Sequence, residues 1–169
     1  MSAYTFDPAH TTIGFEVRHA MVTKVPGKFT EFEATFDPEA KTAQATIKAA
    51  SFNTGNDDRD AHVKGEDFFN VEQFPEITFT ATSFDLNAEG GTVTGDLTIK
   101  GTTKPVTFDV ELSGPVEDPW GATRLGVEAK ATINRKDFGI DFQAPLNSGG
   151  VLISEKVKIS VDGSALQDD

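Results

Sequence analysis

The chain contains no cysteine. That excludes disulfides, thiolate metal sites and cysteine nucleophiles together. It also lacks any run of eighteen apolar residues, so the sequence carries no transmembrane helix. Positive charge is scarce: lysine and arginine total 15 against 27 aspartates and glutamates, a formal net charge of -12. A chain this acidic repels phosphate backbones and anionic lipid surfaces, which argues against a nucleic-acid partner. Tryptophan and tyrosine occur once each, against 14 phenylalanines. Phenylalanine adds apolar wall without a polar handle, and so suits either an ordinary core or a greasy cavity. The opening residues, Met1 to Phe6, have neither a basic start nor an apolar run. No secretory signal is read there, and the expectation is a cytoplasmic protein. A chain processed from a longer precursor would open the same way, which keeps a periplasmic or secreted site as the alternative.

What the chain does have is alternation. Its 169 residues suit one domain, taken as 1–169. Ile13, Phe15, Val17 and His19 share one face of a strand, with Thr12, Glu16 and Arg18 on the other. Val25 and Phe29 continue the pattern, then the parity slips before Phe32, Ala34 and Phe36, which predicts a bulge. Ala43, Ala45, Ile47 and Ala49 are the small inward side chains of the third strand, leaving room inside. After an irregular segment, Ile77, Phe79 and Ala81 resume the rhythm, with a second slip before Phe84 and Leu86. Val93, Leu97 and Ile99, then Val106, Phe108, Val110 and Leu112, line two further strands, with a turn expected at 101–105 between them. Gly114 to Trp120 reads as a loop with two prolines, followed by a strand from Arg124 to Ile133 and a helical turn at Asn134 to Ile140. A loop at Gln143 to Gly150 leads to the last strand, with Val151, Ile153, Val157, Ile159 and Val161 in register. Eight strands with short connections point to a closed antiparallel sheet, with a sandwich as the alternative. An eight-stranded barrel holds one small ligand when its inward side chains do not fill it.

Ser51 to Pro75 breaks this rhythm. Thr54 or Asn56 caps a short helix there, Asp57 and Asp58 favour its N-terminus, and Gly65 ends it. The acidic group Asp57, Asp58, Asp60, Glu66 and Asp67 lacks calcium-loop spacing and reads as a solvated face with Arg59 pairing locally. His10, His19 and His62 show no metal-ligand spacing. His10 suits a local turn bond and His62 the insert helix; His19, on an inward face, needs a partner. Glu155 interrupts an apolar register and is expected at a barrel mouth or turned outward by a bulge. An enzyme would need His19, His62 and Asp67 to converge on one pocket wall. A ligand-free interaction module would instead show a filled core and an exposed apolar patch. No nucleophile elbow, phosphate loop or dinucleotide fingerprint is present, and Ser148-Gly149-Gly150 reads as a rim loop.

Four segments together resemble the YceI-like family of lipocalin-like bacterial proteins. They are Tyr4 to Phe15 with His19; Arg59-Asp60-Ala61-His62 with Asp67-Phe68-Phe69 and Phe74-Pro75; Gly95 to Val106; and Asn134 to Ile140. The resemblance implies an eight-stranded up-and-down barrel with a short helical insert between strands three and four. It implies a long amphiphile as ligand, a polyisoprenoid or isoprenoid quinone, with a fatty-acid-like lipid as the alternative. It further implies no catalysis, no cofactor beyond that lipid, no metal, and a homodimer among the expected assemblies. The ligand wall is expected to include Phe15, Val17, His19, Phe29, Phe32 and Ile47 from the first three strands. Phe68, Phe69 and Phe74 join it from the insert, Phe79, Leu97, Ile99 and Phe108 from the middle strands, and Phe138 from the late helical turn.

Overall fold

The structure, a computed structural model, describes residues 3–19, 22–65, 68–140 and 154–168, and for His19 the backbone alone. Among these residues the first strands are β1 (Tyr4–Phe6), β2 (Thr12–His19), β3 (Thr23–Phe29), β4 (Phe32–Asp37), β5 (Thr42–Lys48) and β6 (Phe52–Asn53). One helix, α1 (Asp57–Lys64), follows. The remaining strands are β7 (Glu76–Asn87), β8 (Gly90–Ile99), β9 (Thr102–Glu117), β10 (Thr123–Asn134) and β11 (Lys156–Gln167).

The first six strands behave as three interrupted long ones. β1 and β2 lie end to end along β11, β4 and β3 lie end to end along them, and β5 and β6 follow in turn. β5 pairs with β7, a meander runs from β7 to β11, and β11 returns to β1. The result is a closed, eight-stranded antiparallel barrel of lipocalin-like form, which leaves no long edge unpaired.

Each interruption has a local cause. Asp7 caps a 3-10 turn at Pro8–His10, its Oδ1 accepting the Ala9 N–H at 3.0 Å, with Pro8 where no N–H is needed. Between β3 and β4, the Thr30 N–H donates to the Ser51 carbonyl at 3.2 Å, and the Glu31 carbonyl accepts from the Lys48 N–H at 3.0 Å. The parity slip falls where expected, but as a break between two strands and not as a bulge within one; Phe29, Ala34 and Phe36 reach the interior. The second slip is a bulge between Ala81 and Ser83.

Several boundaries differ from the sequence expectation. β1 was not foreseen, because three residues are too few to show a period. The turn expected at 101–105 is confined to Lys100 and Gly101; Pro105 sits in β9 opposite Asp96, on a stretch where β10 has already left the pairing. A proline is tolerated where only one neighbouring strand is present. β9 also runs on through Pro115 to Glu117, pairing Val116 with Arg124, so the expected loop shrinks to the residues after Glu117. The last strand starts at Lys156, and Val157, Ile159 and Val161 line the interior as expected. Val151, Ile153, the loop Gln143 to Gly150, Glu66 and Asp67 lie outside the described residues. Glu155 precedes the strand and is exposed, and the Lys136 ammonium 2.8 Å away holds its carboxyl below the usual range.

A polar clamp ties the chain's first strand to its last two. Arg124 Nε donates to Asp118 Oδ2 at 2.8 Å, and Arg124 Nη1 reaches Asp7 Oδ2 at 3.2 Å and Ser164 Oγ at 3.1 Å. His10, in its turn, makes the local bond expected of it, Nδ1 to Asp7 Oδ2 at 2.9 Å. The hydrogen bond from His10, with a further one from Arg124, lowers the Asp7 pKa; Arg124 does the same for Asp118. A carboxyl with a lowered folded-state pKa stabilises the fold above its unfolded value of about 3.9, and that contribution disappears as the pH falls through the folded value. Asp7→Asn is therefore expected to lower the thermal midpoint at neutral pH by a few degrees. In melts taken down the acid limb, variant and parent should converge as the pH falls through the lowered folded-state value of Asp7. An offset constant with pH would assign the loss to packing instead of charge.

Candidate functional site

The barrel is not filled. It encloses a cavity of about 620 Å³, within the range of small-molecule sites. Its wall is almost wholly hydrocarbon. The small side chains of Ala34, Ala43 and Ala45, side by side on β4 and β5, create the space. Phenylalanines border it: Phe15 and Phe52 stack with ring centroids 4.9 Å apart, Phe29 meets Phe69 edge-on at 5.9 Å, and Phe79 meets Phe108 edge-on at 5.2 Å. Gly27, directly across from Phe15, has to be glycine for this arrangement, since a Cβ there would lie 2.2 Å from the Phe15 ring. Thr11 lies on the same wall, and its buried Oγ1 has no hydrogen-bond partner.

α1 and the segment after it cover one part of this cavity. Asn56 caps the helix, its side chain accepting the Arg59 N–H at 3.0 Å, and Gly65 closes it by donating to the His62 carbonyl at 3.1 Å. At eight residues α1 is too short to stand alone in water. Val63 is its apolar contact with the cavity. Polar bonds supply the rest. Asp60 is buried, not solvated as the charge pattern suggested, and accepts from the Thr54 N–H at 3.1 Å and the Thr54 hydroxyl at 2.5 Å. Arg59 pairs locally, as expected, and among the described residues its partner is Thr54: its Nε donates to Thr54 Oγ1 at 2.8 Å and its guanidinium to the Thr54 carbonyl at 3.2 Å. Thr54 thus pins both side chains at the point where the chain enters the helix. Past the helix, Phe69 donates its N–H to the Val63 carbonyl at 3.0 Å, which turns Phe68 and Phe69 under the lid and onto the cavity wall. The His62 ring meets Phe68 edge-on at 5.2 Å.

Most of the expected ligand wall comes together here. Phe15, Val17, Phe29, Ile47, Phe68, Phe69, Phe79, Leu97, Ile99, Phe108 and Phe138 all line the cavity. Two do not. Phe32 is half-buried, packed against the core beside the space it was expected to face. Phe74 lies over Gly101, whose Cβ would sit 2.7 Å from its ring, and so seals a hairpin. For His19 only the backbone, paired with Thr23, is described. The convergence of His19, His62 and Asp67 required of an enzyme lies outside the described side chains, except that His62, exposed on the lid, borders the cavity. Among the described residues no cluster of three or more His, Asp or Glu has metal-site geometry.

Sequence reasoning also passed over lining residues. Phe6 belongs to the unforeseen β1, and Phe52 opens the insert where no strand was read. Ala34, Phe36, Ala43, Ala45, Val93, Val110 and Val161 carried the right parity but were left out of the wall in favour of larger aromatics. Arg135 is the surprise: it is 4 % exposed on the cavity wall, donating Nε to the Ser154 carbonyl at 2.9 Å and Nη1 to the Ile140 carbonyl at 2.8 Å.

Known proteins share this architecture. The model of the YceI-like domain matches residues 4–165. A UPF0312 protein of Staphylococcus aureus strain bovine RF122 / ET3-1 is 41% identical over 164 residues, covering 94% of each chain. The crystal structure of the Campylobacter jejuni YCEI protein superposes with a TM-score of 0.76 at 32% identity, over 100% of both chains. A polyisoprenoid binding domain from Saccharophagus degradans shares the fold at a TM-score of 0.71 and 18% identity, over 99% of this chain and 100% of that one. With its barrel, its lidded cavity and a family match running from the first strand into the last, the chain belongs to the YceI-like family.

Proposed function

We propose that the protein is a non-enzymatic carrier or store for a long amphiphilic lipid, with a polyisoprenoid or isoprenoid-quinone tail in the barrel. The observation that carries this reading is the 620 Å³ cavity walled by hydrocarbon. An empty apolar space of that size forfeits dispersion contacts on every side, and a hydrocarbon tail restores them. At roughly 30 Å³ per carbon, about the volume a water takes in the liquid, the cavity holds on the order of twenty chain atoms. Burial returns about 25 cal/mol per Å² removed from water, enough over a tail of that size to offset immobilisation. The fold shared with a polyisoprenoid binding domain adds support. The short, polar-pinned lid gives the tail a way in that leaves the barrel's hydrogen bonds intact.

The test is extraction of the purified protein with organic solvent followed by mass spectrometry. Prenyl or prenylquinone species at near one per chain are expected. Straight-chain acyl species in their place would establish the fatty-acid reading, and a barrel free of lipid across several preparations would overturn both.

A further inference from the structure

The barrel interior has two unlike layers. On strand after strand, the inward residues line the cavity and then stop lining it at the same height. On β10, Val127 lines it and Leu125, two residues earlier, is buried but does not. On β9 the change falls between Val110 and Leu112, on β1 between Phe6 and Tyr4. β4 ends at that level with Phe36, whose cross-strand partners are Tyr4 and Ala43. Below it lies a plug in which Tyr4, Leu125 and Ala165 are buried and Phe84, Leu86 and Leu112 are partly buried. Above it the barrel is hollow up to Arg135 and the lid. At the boundary Val127 and Val110 project little, while Phe6 and Phe36 carry rings. The Phe36 ring is backed by Phe84 with centroids 5.8 Å apart.

We infer that Phe36 is the floor of the cavity and sets the length of lipid tail the protein encloses. This rests on the lipid-carrier reading and deepens it. A tail gains affinity with every carbon it buries. Once its end meets the Phe36 ring the gain stops, and further carbons must coil or remain outside under the lid. The barrel closed by hydrogen bonds all round cannot widen to accommodate them. The buried Tyr4, Leu125 and Ala165, with Phe84 behind the ring, resist displacement. Removing the Phe36 ring opens a space of about six carbons, the ring's own content, and that is close to one five-carbon prenyl unit.

The experiment measures affinities of all-trans prenyl alcohols of fifteen, twenty, twenty-five and thirty carbons, by displacement of a fluorescent apolar probe. The proteins are the parent, Phe36→Ala, the milder Phe36→Leu as a variant that keeps the fold, and Val110→Phe, which raises the floor. For the parent, affinity is expected to climb with length and then level off. The levelling point should move up by about one prenyl unit in Phe36→Ala, less in Phe36→Leu, and down in Val110→Phe. The alcohol one unit past the parent's levelling point should then bind Phe36→Ala at least about tenfold more tightly than it binds the parent. An unmoved levelling point in the two Phe36 variants, or affinity lost uniformly at all lengths, would overturn the assignment and leave the carrier reading standing. If no prenyl alcohol binds the parent, the isoprenoid reading itself fails, and the floor proposed for its tail with it.

Discussion

Phe68→Asp is expected to strip the protein of its lipid. Phe68 is 7 % exposed, lines the cavity, and sits just past the lid helix with its ring against His62. Replacing the ring removes about 1.5–3 kcal/mol of apolar burial. The incoming carboxylate then faces hydrocarbon, where an unpaired charge costs several kcal/mol. It escapes that cost in one of two ways. It takes up a proton, or it swings the 68–69 turn outward and pulls the lid open. Either outcome removes apolar wall where the tail passes, and retention should fall by about tenfold or more, since each factor of ten needs only about 1.4 kcal/mol.

The barrel itself should survive, because Phe68 belongs to the insert and to no strand. Circular dichroism of the sheet is expected to be unchanged, with a modest drop in thermal midpoint. Phe68→Leu, which keeps an apolar side chain of similar reach, should retain most of the lipid. The measurement is lipid per chain by mass spectrometry after identical purification of all three proteins. Lipid content in Phe68→Asp equal to the parent's would show that the insert covers the cavity without contributing to it.

The contrast between lid and barrel also marks what was legible in the sequence. Ile13, Phe15 and Val17 alternate with Thr12 and Glu16 because the pleat repeats every two residues, and a one-residue error would reverse every side chain. That rule exposed the eight long strands and even the two slips, at Phe29–Phe32 and Ala81–Phe84. Local chemistry placed Asn56 as a cap and Gly65 as a terminator. What stayed hidden depended on distant partners. Asp60 sits in a run of acids that looks solvated, yet its carboxylate is buried on Thr54, six residues earlier. Arg135 is one basic residue among Asn134, Lys136 and Asp137, and nothing local says that it turns inward while Lys136 turns out to Glu155. Phe32 and Phe74 have the composition of cavity residues, but Phe32 packs on the core beside the cavity and Phe74 on the distant Gly101, contacts that neither composition nor parity encodes. Parity gives the face of a strand; the level at which a barrel changes from packed to hollow is a property of all eight strands at once.

The alanines give the sharpest separation of cavity from core. Ala45 lies in register with Ala34 on β4 and Phe79 on β7, and all three line the cavity. In a close-packed core, Ala45→Phe would be an overpacking mutation and cost about 1–3 kcal/mol. In a void, the added ring makes contacts where none existed. At roughly 24 cal/mol per Å³ of void removed, partial filling should stabilise the lipid-free protein by about 1–2 kcal/mol. The same ring occupies the path of the tail, so lipid affinity should fall by about tenfold or more, the space for several carbons at about 0.8 kcal/mol each being lost. Stability and binding are thus expected to move in opposite directions, which a structural core has no means of producing. Ala45→Val should show both shifts in smaller measure. The check is a thermal melt of delipidated protein beside a displacement assay with a twenty-carbon prenyl alcohol. A fall in both quantities would mean that the wall around Ala45 is packed in solution and the space belongs to no ligand. A rise in the melting point with loss of the alcohol would establish that the small side chains of β4 and β5 are there to keep the barrel open.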